Sequence, residues 1–290
     1  TLFPYTTLFR STVEIATDDD LLNVIPVHFS FVSDPEKDEN GYAAKKACYD
    51  ALVNIMNGTL KSVLNDGVEA AAKLQISSSI GLNEFYTDRN GTEELVSAKR
   101  NEGGFIRAQS PLNAPETRDT FDVDMLIVGA RKVDADDERN LPEKVVISGY
   151  IFDFRNTIMP VEFTVLDQGA MNYFESLEPT RKNPVFTRIK GHQVSSTVIR
   201  KIVEESAFGS DMVREVKNTR KDWVVTWAQK EEYEFGEGIL TNEEVKKALA
   251  DREVALADMK RRRANSTNVI AATTTPKKYN IKKTAEDFDF

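Results

Sequence analysis

The chain has 290 residues, 40% of them hydrophobic and 9% aromatic, and a formal net charge of −9, enough length for one large core or two ordinary ones. No apolar run approaches the eighteen or so residues that span a bilayer and no signal peptide is visible, so no membrane partner is expected and the expected address is cytoplasmic. One cysteine, Cys48, and two histidines, His28 and His192, exclude an internal disulfide and argue against a zinc site of the usual Cys/His kind.

Charge is segregated along the chain. Between Arg181 and Lys221 ten cations stand against four anions, whereas residues 121–180 hold five cations and twelve anions. Contact with a polyanion depends on local positive potential, so the later stretch remains a candidate despite the net charge.

In chain order, residues 1–11 (TLFPYTTLFRS) resemble the conceptual translation of a sequencing adapter, which points to a metagenomic assembly, and they are set aside from fold reasoning. Residues 23–32 alternate like a strand, with Pro26 placing it at an edge or bulge and His28 on its less apolar face. Cys48, Leu52, Ile55 and Met56 repeat at helical spacing within residues 42–56, a core-packing helix. Residues 73–86 and 94–109 read as strands joined through Asn90-Gly91, a hairpin signal. The segment 110–120, with Pro111 and Pro115, is a boundary.

Strands are then predicted at 121–133, 144–154 and 158–166, a short helix at 169–177, and strands at 183–201 and 217–230. Three strands, a helix and two strands is the element order of an OB-fold barrel. The expected fold class is therefore mainly β with flanking helices (α+β). A strand-helix-hairpin region over 12–118, with an OB-like half left open, precedes a five-stranded OB-fold core over 119–236. A C-terminal helix over 239–263 opens on a Thr241/Glu244 capping box and ends in Lys260-Arg261-Arg262-Arg263, and a flexible linker with a disordered acidic tail fills 264–290.

The strand at 183–201 puts Val185, Thr187, Ile189 and Gly191 on one face and Phe186, Arg188, Lys190 and His192 on the other. An aromatic plane among cations is what a stacked base and its phosphate require. Arg200 and Lys201 continue the basic run. In the last strand Trp223, Val225 and Trp227 are expected on one face beside Lys217, Arg220 and Lys221, although two tryptophans serve a buried barrel core equally well. The candidate DNA-contacting set is thus Phe186, Arg188, Lys190, His192, Arg200, Lys201, Lys217, Arg220, Lys221, Trp223 and Trp227. At the terminus, Glu286, Asp287, Phe288, Asp289 and Phe290 offer carboxylates and aromatic rings to a basic, apolar pocket of a partner protein.

Catalysis finds no support. There is no GxxxxGKS/T loop, HExxH, GxSxG or glycine-rich dinucleotide fingerprint, so neither an enzyme nor a cofactor nor a metal is expected. Asp122 with Asp124, the pair a metal-dependent nuclease would use, reads as solvated acid.

Five stretches carry a resemblance: VVISGYIFDFRNTIMPVEFTV, NPVFTRIKGHQVSSTVIRKIVEESAFG, KDWVVTWA, LTNEEVKKALADREVALADMKRR and the AEDFDF terminus. Together they resemble the single-stranded DNA-binding proteins of tailed bacteriophages. The resemblance implies sequence-independent binding of single-stranded DNA during phage replication or recombination in the host cytoplasm, with the tail recruiting replication or recombination proteins. The ending departs from the Pro-Phe of bacterial tails, since Asp289 precedes Phe290. The alternative is a non-enzymatic structural or adaptor protein of the virion or its tail, using the barrel for protein contacts. Homo-oligomerisation is left open.

Overall fold

The computed structural model describes residues 9–32, 43–89, 92–136, 141–204, 208, 212–235 and 240–273. The N-terminal region comprises strands β1 (Phe9–Ala16) and β2 (Val24–Val32), helix α1 (Ala43–Met56), a one-turn helix α2 (Val63–Asp66), and the long strands β3 (Leu74–Arg89) and β4 (Thr92–Ala108). Its sheet runs β1-β2-β4-β3 and is open, not a second barrel, with β2 and β4 parallel over Val27↔Asn101 and His28↔Glu102. Strand β1 begins inside the stretch set aside as adapter, and Asn90-Gly91 lie outside the described residues.

Helix α1 buries Cys48 and Leu52 against Val13, Val27, Phe29 and Ile106, with Ile55 partly buried beside them, as its spacing predicts. Met56, expected on the same face, is exposed at the last position of the helix. Burial raises the Cys48 thiol above its ordinary pKa. Strand β2 is internal and not an edge, but it pairs with β4 at only two positions, and Pro26 lies just outside them. The missing proline N–H therefore falls outside the pairing with β4. The Asn101 amide caps that point by donating to the Pro26 carbonyl at 3.2 Å.

The second region contains β5 (Thr120–Val133), β6 (Lys144–Phe152), β7 (Ile158–Val165), helix α3 (Gln168–Ser176), β8 (Val185–Glu204), β9 (Met212–Ala228) and the C-terminal helix α4 (Asn242–Thr273). The five strands close into a barrel of order β5-β6-β7-β9-β8, antiparallel except for β7 and β9. With a helix between its third and fourth strands, this is the OB-fold arrangement. Alternate residues fill the interior, Met125, Ile127, Val145, Ile147, Phe163, Val165, Ile189 and Val225 among them, and α3 adds Met171 and Phe174 to the same core. Asp167 caps α3 by accepting from the Ala170 N–H at 2.9 Å.

Two elements run longer than expected. Strands β8 and β9 stay paired out to Glu204↔Met212, so a two-stranded ribbon projects past the barrel. Helix α4 continues through Thr273, across residues expected to be linker. Between Gly238 and Pro276 the sequence contains neither glycine nor proline, and its alanines favour the helix.

Interlocking polar groups join sheet, barrel and helix. Asn23 donates to Asp119 and to the Gln193 carbonyl, both at 2.9 Å, and Asn101 and Gln193 exchange amide hydrogen bonds at 2.8 and 3.0 Å. On the far side α4 pairs Arg252 with Glu84, Lys260 with Glu93, and Arg263 with Asp88 and Glu93. The basic run at 260–263 is therefore turned, in Lys260 and Arg263, onto the β3–β4 hairpin, and it lies well short of the helix end.

Candidate nucleic-acid interface

The face of β8 expected to meet the core does so: Val185, Thr187 and Ile189 are buried. Gly191 shares that face because a Cβ there would stand 1.9 Å from the Val224 carbonyl oxygen. The opposite face is not uniformly solvent. Phe186 is 5% exposed, packed with Leu126, Ile158, Leu240 and Val245 in a second core where α4 covers the barrel, its ring 5.0 Å from that of Tyr233. It is a core residue and offers no stacking surface, because the chain after β9 folds back along β8, the Tyr233 N–H bonding to the Phe186 carbonyl at 2.7 Å.

Beyond Phe186 the outer face of β8 is polar. Arg188 reaches Asp122 through two bonds of 2.6 and 2.8 Å, and the Lys190 ammonium lies 3.4 Å from the same carboxylate. Bonding to Arg188 holds the Asp122 carboxyl below its ordinary pKa and raises that of the guanidinium. The pair of β8 cations thus shares one anion contributed by β5. His192 is partly buried, its Nδ1 2.6 Å from Asp119.

The two tryptophans separate. Registers Lys190↔Trp227 and Gly191↔Val225 leave Thr226 as an extra residue, a β-bulge that reverses the alternation. Trp223 and Val225 therefore share one face while Trp227 turns to the other. Trp223 packs inward against Phe121 and Phe163, at 5.5 and 6.2 Å between ring centres. Trp227 is 47% exposed, with the Lys190 ammonium 4.9 Å from its ring centre. The expectation of one shared face for Trp223, Val225 and Trp227 holds for the first two alone.

The projecting ribbon carries most of the remaining candidates. Residues 194–204 and 212–222 hold Arg200, Lys201, Arg214, Lys217, Arg220 and Lys221 against Glu204, Glu215 and Asp222. The backbone sets Arg200 opposite Val216, Lys201 opposite Glu215, Lys217 opposite Ile199 and Arg220 opposite Ser196. The side chains of these four lie outside the described set. Arg214 and Lys221 are exposed and make no salt bridge among the described residues. Lys221 also helps to depress the pKa of His28, after burial and Arg100. Toward the end of the ribbon Val203, Met212 and Val213 are exposed.

A different surface has the opposite sign. A cleft of about 1520 Å³ between sheet, barrel and α4 is lined by eight carboxylates, Glu102, Asp119, Asp122 and Asp124 among them, and by four cations. That balance repels a polyanion. Tyr150 and Phe152 pack near α4, whereas Phe154, in the turn after β6, is 85% exposed with the Arg155 guanidinium 5.0 Å from its ring. The tail residues Glu286, Asp287, Phe288, Asp289 and Phe290 lie outside the described residues.

Sequence reasoning did not anticipate Lys99, which enters from β4 to place its ammonium 4.2 Å from the Phe163 ring centre and 5.3 Å from that of Trp223, donating to the Glu162 carbonyl. Nor did it anticipate Tyr173 and Lys230, which meet Trp227 around a small cavity. Only tertiary packing brings either group together.

Comparison with curated proteins and with solved structures returned no match. A family model described as YorF matches residues 18–262, a span that starts after β1 and covers the other three strands of the sheet, the barrel and most of α4. The chain belongs to the YorF family.

Proposed function

We propose that the protein binds single-stranded DNA without sequence preference along the β8–β9 ribbon, as a non-enzymatic component of phage replication or recombination in the host cytoplasm. The observation that carries this reading is the ribbon itself, a two-stranded arm on an OB-type barrel with six cations against three anions. Its 194–204 limb reaches about 35 Å at the rise of a strand. Trp227 and Lys190, on the same two strands, supply a plane and a charge at the barrel end. The phage resemblance supports the same reading, and in it the Phe-ended tail recruits partner proteins.

Anisotropy of a labelled oligo-dT against rising salt tests it. Affinity should fall with a log–log slope of roughly −0.7 per phosphate neutralised, and Arg214→Ala with Lys221→Ala should flatten that slope by about 1.4. Absence of binding at low salt, or binding indifferent to salt, refutes the proposal. Exposed Val203, Met212 and Val213 favour a second reading, protein contact through the end of the arm, as in a structural or adaptor protein. It calls for a stable assembly without DNA.

A further inference from the structure

We infer that the cavity between α3 and the end of β9 is a pocket for one unstacked nucleobase, a subsite that rests on the single-strand reading above. The cavity measures about 220 Å³ and is walled by Tyr173 and Phe174 of α3 and by Val225, Thr226, Trp227 and Lys230 of the β9 end. Drug-sized ligands occupy about 300–1,000 Å³, so this volume suits a single ring system.

Its walls are built for a planar guest. Tyr173 is partly buried, with burial and the charge of Glu232 raising its phenol above the ordinary pKa, so it stays a neutral ring and hydroxyl at working pH. Phe174 meets Tyr173 edge-on at 5.1 Å between centres and fixes its orientation. The bulge at Thr226 makes Trp227 an outward wall and, without it, the alternation would turn that indole to the barrel core. The pocket is therefore a product of one extra residue in β9.

Charge selects the class of guest. Lys230 is exposed at the rim, facing the negative charge of Glu232 near Tyr173, and Lys190, shared with Asp122, stands over the Trp227 indole outside the lining. An anionic group attached to the ring would therefore meet Lys230 at the mouth. An aromatic ring linked to a phosphate is a nucleotide. The pocket also opens on the same strand pair that carries the ribbon's cations, which makes a strand following the ribbon continuous with it.

The test uses the full chain, oligo-dT, and an otherwise identical oligomer whose residues are abasic, with anisotropy and tryptophan emission recorded together. Saturating oligo-dT should quench the emission, the abasic oligomer should bind without quenching, and Trp227→Phe should abolish the quench while leaving the fold intact. Tyr173→Ala should weaken oligo-dT binding by about 5- to 150-fold, the range for loss of one stacked base, without changing the salt slope. Oligo-dT binding with unchanged emission overturns the pocket and leaves the ribbon reading standing; failure to bind at all overturns both. Quenching by an acidic, phenylalanine-ended peptide and not by oligo-dT also overturns it, assigning the pocket to a protein side chain.

Discussion

Lys99 offers a quantitative test of how the sheet is joined to the barrel. Burial between the two lowers its pKa to about 8 from the ordinary 10.5, with Glu162 and Asp222 opposing the effect. Because the native pKa is the lower one, the unfolded chain holds the extra proton between pH 8 and 10.5, and stability must rise with pH across that window. Below pH 8 both states are protonated and the full cost of burying the ammonium is present. A displacement of that size caps the cost at ~3 kcal/mol. Contact with the rings of Phe163 and Trp223 offsets ~1 kcal/mol of it. Lys99→Met keeps the stem and removes the charge, at a loss of ~1 kcal/mol for the hydrogen bond to Glu162. The variant should therefore be more stable than the parent by ~1 kcal/mol at pH 7 and should lose that advantage by pH 10. Urea unfolding of both proteins, followed by circular dichroism at several pH values, measures the difference. A difference that stays constant with pH, or a variant less stable at pH 7, refutes the reasoning.

Thr187 is fully buried, and its hydroxyl has no partner among the described residues. Thr187→Val should raise stability by ~1–2 kcal/mol, read as a higher thermal midpoint. Asp122→Asn frees Arg188 and Lys190 from their shared carboxylate, so oligonucleotide affinity at low salt should increase severalfold with a steeper salt dependence. Lowering the pH of the parent through the depressed Asp122 pKa should act in the same direction, since protonation removes the same charge. Arg252→Ala would leave Glu84, whose side chain is 10% exposed, without its partner. Urea titration should show a loss of ~3–5 kcal/mol, with most of it restored when Glu84→Leu is combined with Arg252→Met.

The barrel was legible because its signals are local. Period-two alternation, the break between the strands at 144–154 and 158–166 and a short helix between the third and fourth strands fix the element order, and closure follows from it. The burial of Phe186 was not legible, since alternation tells which residues share a face but not what later covers it. In this chain the cover comes from Leu240 and Val245, more than fifty residues on. The separation of the two tryptophans was hidden for a related reason. Strict alternation assigns Trp223 and Trp227 to one face, and a bulge is invisible until the partner strand sets the register. Charge was legible by region only: the excess at 181–221 is real, but Asp122 quenches part of it at the barrel and the ribbon keeps the rest.

The ties between α4 and the β3–β4 hairpin also bear on synthesis. Arg252 and its partner Glu84 are separated by 168 residues, and Arg263 stands still further along the chain from Asp88. At the 5–20 residues per second of translation, the hairpin waits on the order of ten to thirty seconds for the helix that clasps it. During that interval its acids, Glu84, Asp88 and Glu93, lack their cations while β3 has an open edge, a combination that keeps the nascent sheet soluble through charge repulsion. Completion of the C-terminal helix would then be the event that closes the N-terminal half, so the last folded element of the chain matures the first.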